Sequence, residues 1–279
     1  MNSAVAALQM SSTRDREENL TCAELLIKKA AGSGVKLVVL PENFALYGID
    51  NLYPAGLRES ENNSADSLRK WLSSIAIKYR VWLVAGSIPI ASCPADRLLD
   101  KHVRAACLVI NDCGDEVARY DKIHLFDVDV ADDKGRYRES ATVAAGDQVV
   151  LVDTPCGRLG LTICYDLRFA AQFHQLRQQG AEIITVPSAF TATTGAAHWQ
   201  VLLRARAIET QCYIVAPNQS GRHSATRCSY GHSMIIDPWG EVLACLQAGC
   251  GVVSAEIDLE KLTAVRKGMP IQDHQRLVF

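Results

Sequence analysis

The 279-residue chain alternates two hydrophobic patterns. Short continuous apolar runs come first in each repeat of the pattern: Val5 to Gln9, Lys36 to Leu40, Val81 to Ile88, Leu159 to Ile163, Ile183 to Val186 and Tyr213 to Ala216. Runs of this length, rich in Val, Ile and Leu, predict strands; Leu159 to Ile163 and Ile183 to Val186 read as buried, and Lys36 to Leu40 as buried on both faces. Between them lie segments with apolar residues at helical spacing. Arg14 to Ala31 carries Leu20, Ala23, Leu26 and Ile27 in register and stops at Gly32 and Gly34. Ser67 to Tyr79, Phe169 to Gln179 and His198 to Thr210 read the same way, the last with Trp199, Leu202, Leu203 and Ile208 as candidate core positions.

Two hairpins are predicted, each around a Gly-containing turn: Ala105 to Ile110 with Val117 to Tyr120, and Ser233 to Ile236 with Val242 to Leu246. Val149 to Asp153 and Val252 to Ile257 are further strands, and a short helix near Leu259 to Lys267 precedes a polar tail. Residues 49–63, 91–101 and 127–147 are polar or irregular and read as loops; long loops inside compact domains are often functional.

Strands alternating with helices predict an α/β fold. The two halves also echo each other. Gly34-Val-Lys-Leu-Val-Val-Leu-Pro-Glu-Asn-Phe44 and Gly180-Ala-Glu-Ile-Ile-Thr-Val-Pro-Ser-Ala-Phe190 match position for position in residue type. Two copies imply a duplicated βαβ layout and a pseudo-twofold pair of sheets rather than a solenoid. No linker is visible, so residues 1–279 are expected to form a single domain.

With 48% hydrophobic residues there is ample material for a core. The formal net charge of −2 gives no electrostatic case for nucleic acid or anionic lipid. No apolar run is long enough for a membrane span, and residues 1–10 lack the features of a secretory signal. The ten cysteines form no Cys-x-x-Cys pair and no zinc-finger spacing. Reduced thiols in a cytoplasmic setting are therefore expected, with no metal and no cofactor.

Three chemically useful side chains stand just past apolar runs: Glu42, Lys122 and Cys164. In α/β sheets, ligands and reacting groups collect at strand C-termini. A thiol needs a base, which a buried glutamate can provide. A tetrahedral oxyanion needs positive charge or N–H donors, which Lys122 and the backbone of Tyr165 can supply. Each residue has an ordinary alternative: a core thiol, a solvated carboxylate, a strand-end lysine. Together they form a complete set for acyl transfer from an amide. His124, His198, His223 and His232 leave a Cys–His arrangement open as a competitor.

Pro41-Glu42-Asn43-Phe44, Tyr120-Asp121-Lys122-Ile123-His124-Leu125 and Cys164-Tyr165-Asp166-Leu167-Arg168-Phe169 resemble the three motifs of the nitrilase superfamily of carbon–nitrogen hydrolases. The resemblance runs over nearly the whole chain. It implies a four-layer α-β-β-α sandwich, with Glu42 as general base, Lys122 as stabiliser of the intermediate and Cys164 as nucleophile. It also implies a second glutamate, Glu139, positioning Lys122 and substrate, and a homodimer. Tyr165-Asp166 stand where nitrilases proper carry Trp-Glu, as in the amidase branches.

Gly195 to Trp199, Leu203 to Tyr213 and Ser229 to Ser233 resemble the Nit amidase subgroup, which implies a small amide of a 2-oxo acid as substrate. Deaminated glutathione is the first expectation and 2-oxoglutaramate the alternative; an idle binding scaffold is the rival from another class. The resemblance sets Arg168 and Thr194 against the substrate carboxylate, with Tyr165 beside them. Two features depart from the usual pattern: Ala170-Ala171 after Arg-Phe, and the loop 130–136.

Overall fold

The computed structural model describes residues 3–60, 66–91, 101–132 and 134–277. In chain order the first part contains β1 (Ser3–Gln9), α1 (Arg16–Gly32), β2 (Leu37–Leu40), α2 (Tyr53–Ser60), α3 (Leu68–Tyr79), β3 (Trp82–Ala85) and β4 (Ile88–Ala91). The hairpin β5 (Val103–Ile110) and β6 (Glu116–Asp121) follows, then β7 (Asp127–Asp129) and β8 (Arg136–Arg138). The second part contains β9 (Leu151–Thr154), β10 (Gly157–Leu161), α4 (Ala170–Gln178), β11 (Ile183–Thr185), α5 (Ala192–Thr210) and β12 (Tyr213–Ala216). It closes with β13 (Ser220–Arg222), β14 (Cys228–Tyr230), β15 (Ser233–Ile236), β16 (Val242–Leu246), β17 (Gly251–Ile257), α6 (Leu259–Gly268) and α7 (Ile271–His274).

Two sheets face each other and the duplication is visible in their strand orders. One runs β17-β1-β2-β3-β5-β4, with β6 paired to β5; the other runs β16-β15-β12-β11-β10-β9. In each, three parallel strands (β1-β2-β3 and β10-β11-β12) are flanked by antiparallel partners. The period-2 pleat sorts side chains between layers. Val5, Ala7, Leu37 and Val39 join the core shared with the second sheet, while Ala6, Leu8, Val38 and Leu40 pack under α1 and α3. On the far side, Phe173, Leu176, Trp199 and Leu203 bring α4 and α5 onto the second sheet. Gly160 has no side chain because a Cβ there would come within 2.9 Å of Leu176. The result is the expected four-layer α-β-β-α sandwich. Among the described residues no helix is long and apolar enough to cross a membrane.

Several expectations are corrected. Residues 49–63 were expected to be loop, but α2 forms there. Gly56 lets it sit against β4 and β5, since a Cβ would meet Val103 at 2.6 Å, and buried Glu59 accepts the N–H of Leu68 at 2.8 Å. Residues 61–63 lie outside the described residues, as do 92–100 of the expected loop 91–101. The run Val81 to Ile88 is two strands, broken at Gly86, which packs directly on the Pro41 carbonyl. Segment 127–147 is not all irregular. β7 and β8 pair, Arg138 bridges to Asp129 at 3.0 Å across them, and a 3-10 turn Glu139–Ala141 follows.

α5 begins at Ala192, six residues before the expected start. Thr191 caps it by accepting the Thr194 N–H, and Gly195 packs on Tyr230, so its first turns show no apolar stripe. Ile208, expected in the core, is exposed. The hairpin β13–β14 and the short α7 within the polar tail had no pattern to reveal them.

Candidate active site

Two parallel strands, β2 and β10, and the antiparallel strand β6 deliver Glu42, Cys164 and Lys122 to one place. β2 ends at Leu40, Pro41 stops the ladder, and Glu42 turns inward, 5% exposed. β6 ends at Asp121 and the next residue, Lys122, is 2% exposed. β10 ends at Leu161 and leads through Thr162 and Ile163 into a 3-10 turn that begins with Cys164. Cys164 has φ 47°, the left-handed region, which for a residue with a Cβ costs on the order of 1–3 kcal/mol. Its own N–H is fixed by the Pro187 carbonyl at 2.9 Å.

Every polar atom of the cluster is occupied. Lys122 Nζ donates to Glu42 Oε1 at 2.8 Å and to both Glu139 oxygens at 2.9 Å. Glu42 Oε2 accepts the Ala189 N–H at 2.8 Å, and Glu139 Oε2 accepts the Phe126 N–H at 2.7 Å. The Cys164 thiol and the Glu42 carboxylate line the same cavity, close enough for the carboxylate charge to act on the sulfur. With the thiol neutral, one ammonium and two carboxylates leave the cluster with an excess negative charge. That charge dictates the protonation states. Burial, and then the Glu42 carboxylate, push the Cys164 thiol well above its ordinary range, so it rests as a thiol. Burial alone would pull the Lys122 ammonium down, but Glu139 and Glu42 outweigh it and hold it well above the usual lysine value. Burial raises the Glu139 carboxyl, against the pull of Lys122.

Asp166, fully buried, ties the Cys164 turn to the Lys122 segment. Its carboxylate accepts the Tyr120 hydroxyl at 2.6 Å, the Ile163 N–H at 2.8 Å and the His124 N–H at 3.1 Å, and it lies 2.8 Å from His124 Nδ1. His124 is thereby engaged away from the sulfur. His198 faces Arg168, His223 faces the Ser12 carbonyl and His232 faces the Tyr230 carbonyl. Burial lowers His223 to about 4. None of the four lines the cavity over Cys164, so the geometry favours Glu42 over a Cys–His arrangement.

That cavity has a volume of about 370 Å³, in the range for small-molecule sites. Glu42, Lys122, Glu139, Cys164, Tyr165 and Thr194 all line it. Arg168 does not. Its guanidinium sits 5.7 Å from the Tyr165 ring centroid and 5.2 Å from that of Phe190, both of which are cavity walls. Nor does it pair with Asp166, whose oxygens are taken. Sequence reasoning passed over the polar groups on the opposite wall, Tyr47, Tyr137 and Arg227, because they come from three separate loops and hairpins with no motif of their own. Among the described residues no group of three or more His, Cys, Asp or Glu is arranged to hold a metal ion.

Comparison with known proteins identifies the family. The carbon–nitrogen hydrolase family model matches residues 4–267. A deaminated glutathione amidase of Yersinia enterocolitica is 43% identical over 99% of this chain and 94% of its own. The human protein of the same name is 40% identical over 98% of this chain and 82% of its own. The crystal structure of Saccharomyces cerevisiae Nit3, a member of branch 10 of the nitrilase superfamily, superposes with a TM-score of 0.86 at 30% identity, covering 99% of this chain and 97% of that one. The chain belongs to the carbon–nitrogen hydrolase family, within the nitrilase superfamily.

Proposed function

We propose that the protein hydrolyses deaminated glutathione to 2-oxoglutarate and cysteinylglycine through a thioester on Cys164. The observation that carries the mechanism is the shared carboxylate of Glu42. It is held by Lys122 and the Ala189 N–H, and its charge acts on a buried neutral thiol in the same cavity. Glu42 takes the thiol proton as sulfur attacks the amide carbonyl, so the thiolate forms only as the C–S bond forms. The oxyanion is met by the Lys122 ammonium and the Tyr165 N–H. Glu42 passes its proton to the departing amine, the C–N bond breaks, and cysteinylglycine leaves. Water, deprotonated by Glu42, then attacks the thioester; 2-oxoglutarate departs and the sulfur recovers its proton. Glu139 positions Lys122 throughout, through the two hydrogen bonds between them.

The relatives' names support the substrate, as does the lining of the cavity. Thr194 offers a hydroxyl to the 2-oxo acid, while Arg168, packed behind the Tyr165 and Phe190 walls, is not required for this reading. Comparing kcat/KM for deaminated glutathione and 2-oxoglutaramate tests the reading. A higher value for 2-oxoglutaramate would replace it with ω-amidase activity. Mass spectrometry of a quenched reaction should find the acyl group on Cys164; an unmodified thiol during full turnover would refute the thioester.

The same proposal includes a cytoplasmic homodimer. Val201 and Ile208 on α5 and Trp239 in the β15–β16 turn, all exposed, support an apolar face for a second copy. A monomeric mass by light scattering at micromolar concentration would count against it.

A further inference from the structure

The cavity wall carries five cations: Arg14, Lys122, Lys134, Arg138 and Arg227. Three have carboxylate partners: Lys122 has Glu42 and Glu139, Arg138 has Asp129 at 3.0 Å, and Arg14 has Asp50 at 4.0 Å. Among the described residues Arg227 and Lys134 have none. Yet both contact aromatic rings, Arg227 partly buried and Lys134 exposed. The Arg227 guanidinium lies 4.7 Å from the Tyr47 ring centroid and 5.5 Å from that of Tyr137, and its Nε donates to the Tyr47 hydroxyl at 2.9 Å. Tyr47 is itself buried, with its hydroxyl 3.3 Å from Ser229 Oγ. Lys134 Nζ lies 5.0 Å from the same Tyr137 centroid. Burial and the neighbouring Arg227 charge lower the Lys134 ammonium, so the two cations feel each other. The nearest carboxylates do not relieve this. Asp132 is occupied by the Tyr137 hydroxyl and the N–H groups of Lys134 and Gly135, and Asp50 is almost fully exposed. Two cations that contact one aromatic ring in a cavity wall, close enough to feel each other and without a carboxylate partner, favour an anion near them.

We propose that Arg227 and Lys134 bind the C-terminal carboxylate of the peptide half of the substrate, and so select an amide whose leaving group is a dipeptide with a free C-terminal carboxylate. This rests on the amidase reading above and names the residues that choose its leaving group. Phe126 separates this pair from the acyl side: its ring lies 5.1 Å from Tyr137 on one side and 5.1 Å from Tyr165 on the other. Phe126 is also the residue whose N–H holds Glu139, so the rings of Tyr137 and Phe126 link the cation pair to the reacting cluster. In a dipeptide leaving group the terminal carboxylate lies roughly 7 Å from the scissile nitrogen, well away from the acyl carbon. The ammonia released from 2-oxoglutaramate has no such carboxylate.

The test compares kcat/KM for deaminated glutathione and for the same compound with its C-terminus as a carboxamide. The wild-type protein should prefer the free carboxylate by about 10- to 100-fold, the range of a charge-assisted pair, and mainly through KM. In Arg227→Gln that preference should fall to about twofold or less, while 2-oxoglutaramate turnover changes far less than deaminated glutathione turnover. Lys134→Gln, at an exposed turn position on which folding does not depend, should reduce the preference by about 3- to 10-fold and serves if the first variant does not fold. Equal wild-type rates on the two compounds would overturn the inference alone. So would an Arg227→Gln loss of the same size on both amide substrates, which would assign the guanidinium to the shared acyl half. A wild-type protein inert toward both compounds but active on 2-oxoglutaramate would overturn the function proposed above, and this inference with it.

Discussion

The segments after β2 and β11 are copies of one device put to different uses. Each is a buried parallel strand ended by Pro: Leu40-Pro41-Glu42-Asn43 in the first half, Val186-Pro187-Ser188-Ala189 in the second. The first delivers a carboxylate, the second only backbone. Pro187 offers its carbonyl to the Cys164 N–H, Ala189 offers its N–H to Glu42, and the Ser188 hydroxyl turns back to the Val186 carbonyl at 3.1 Å. The fold therefore places two equivalent strand ends at the site: one carries the carboxylate to which we assign the chemistry, and the other holds that carboxylate and the Cys164 turn together. Symmetry sets the scaffold; a single difference in residue type, Glu42 against Ser188, divides the labour.

The largest effect should come from the reacting atom. Cys164→Ala is expected to lower kcat by at least about 10³-fold with the circular dichroism spectrum unchanged, because no other side chain can form the acyl intermediate. Retained turnover would remove the nucleophile from the scheme. Next comes the comparison itself. Glu42→Gln should cost about 10²- to 10⁴-fold in kcat, whereas Ser188→Ala, at the equivalent position, should cost only about 0.5–1.5 kcal/mol of stability and little rate. Similar losses at both positions would show that the two strand ends are not functionally distinct.

Stability should respond most to the cation between the carboxylates. Lys122→Met leaves Glu42 and Glu139 buried without their shared partner and should destabilise by about 3–5 kcal/mol in urea unfolding. The sign of the pH dependence follows from the raised Lys122 pKa. An ammonium whose pKa rises on folding stabilises the folded chain at every pH below its unfolded value, about 10.4, and the contribution disappears as pH climbs from there through the folded value. Wild-type stability should therefore fall on raising the pH above about 10, and Lys122→Met should lack that part of the fall. A variant with an identical alkaline limb would assign the fall to other groups.

The smallest and most discriminating effect concerns thiol reactivity. Since burial and the Glu42 charge both raise the Cys164 thiol, Glu42→Gln should move the midpoint of its alkylation by iodoacetamide to lower pH even as turnover collapses. A midpoint that stays put or rises would mean that Glu42 does not act on the sulfur by charge.

Much of this was legible in the residues. The apolar runs located the parallel strands of both sheets, and the repeat Gly34–Phe44 against Gly180–Phe190 announced their pairing. Continuous Val, Ile and Leu can be buried on two faces only in the middle of a layered sheet, so local pattern and tertiary position are one fact there. The pattern failed where packing replaced it. α2 is polar and forms because Gly56 can lie against β4 and β5; the first turns of α5 are small residues fitted under Tyr230; and Ile208, in register for the core, sits at the surface.

By itself the sequence determined which residues could do chemistry and that they follow strands: Glu42, Lys122 and Cys164 are each announced by an apolar run and a turn. Only the tertiary structure decided what surrounds them. It put Lys122 between two carboxylates, kept the sulfur protonated by burying it beside negative charge, turned His124 toward Asp166 instead of the thiol, and stood Arg227 and Lys134 over one tyrosine ring. Charge states and neighbours depend on distance and desolvation, and these are properties of the packed chain, set by contacts between residues as distant in the chain as Tyr47 and Arg227, 180 positions apart.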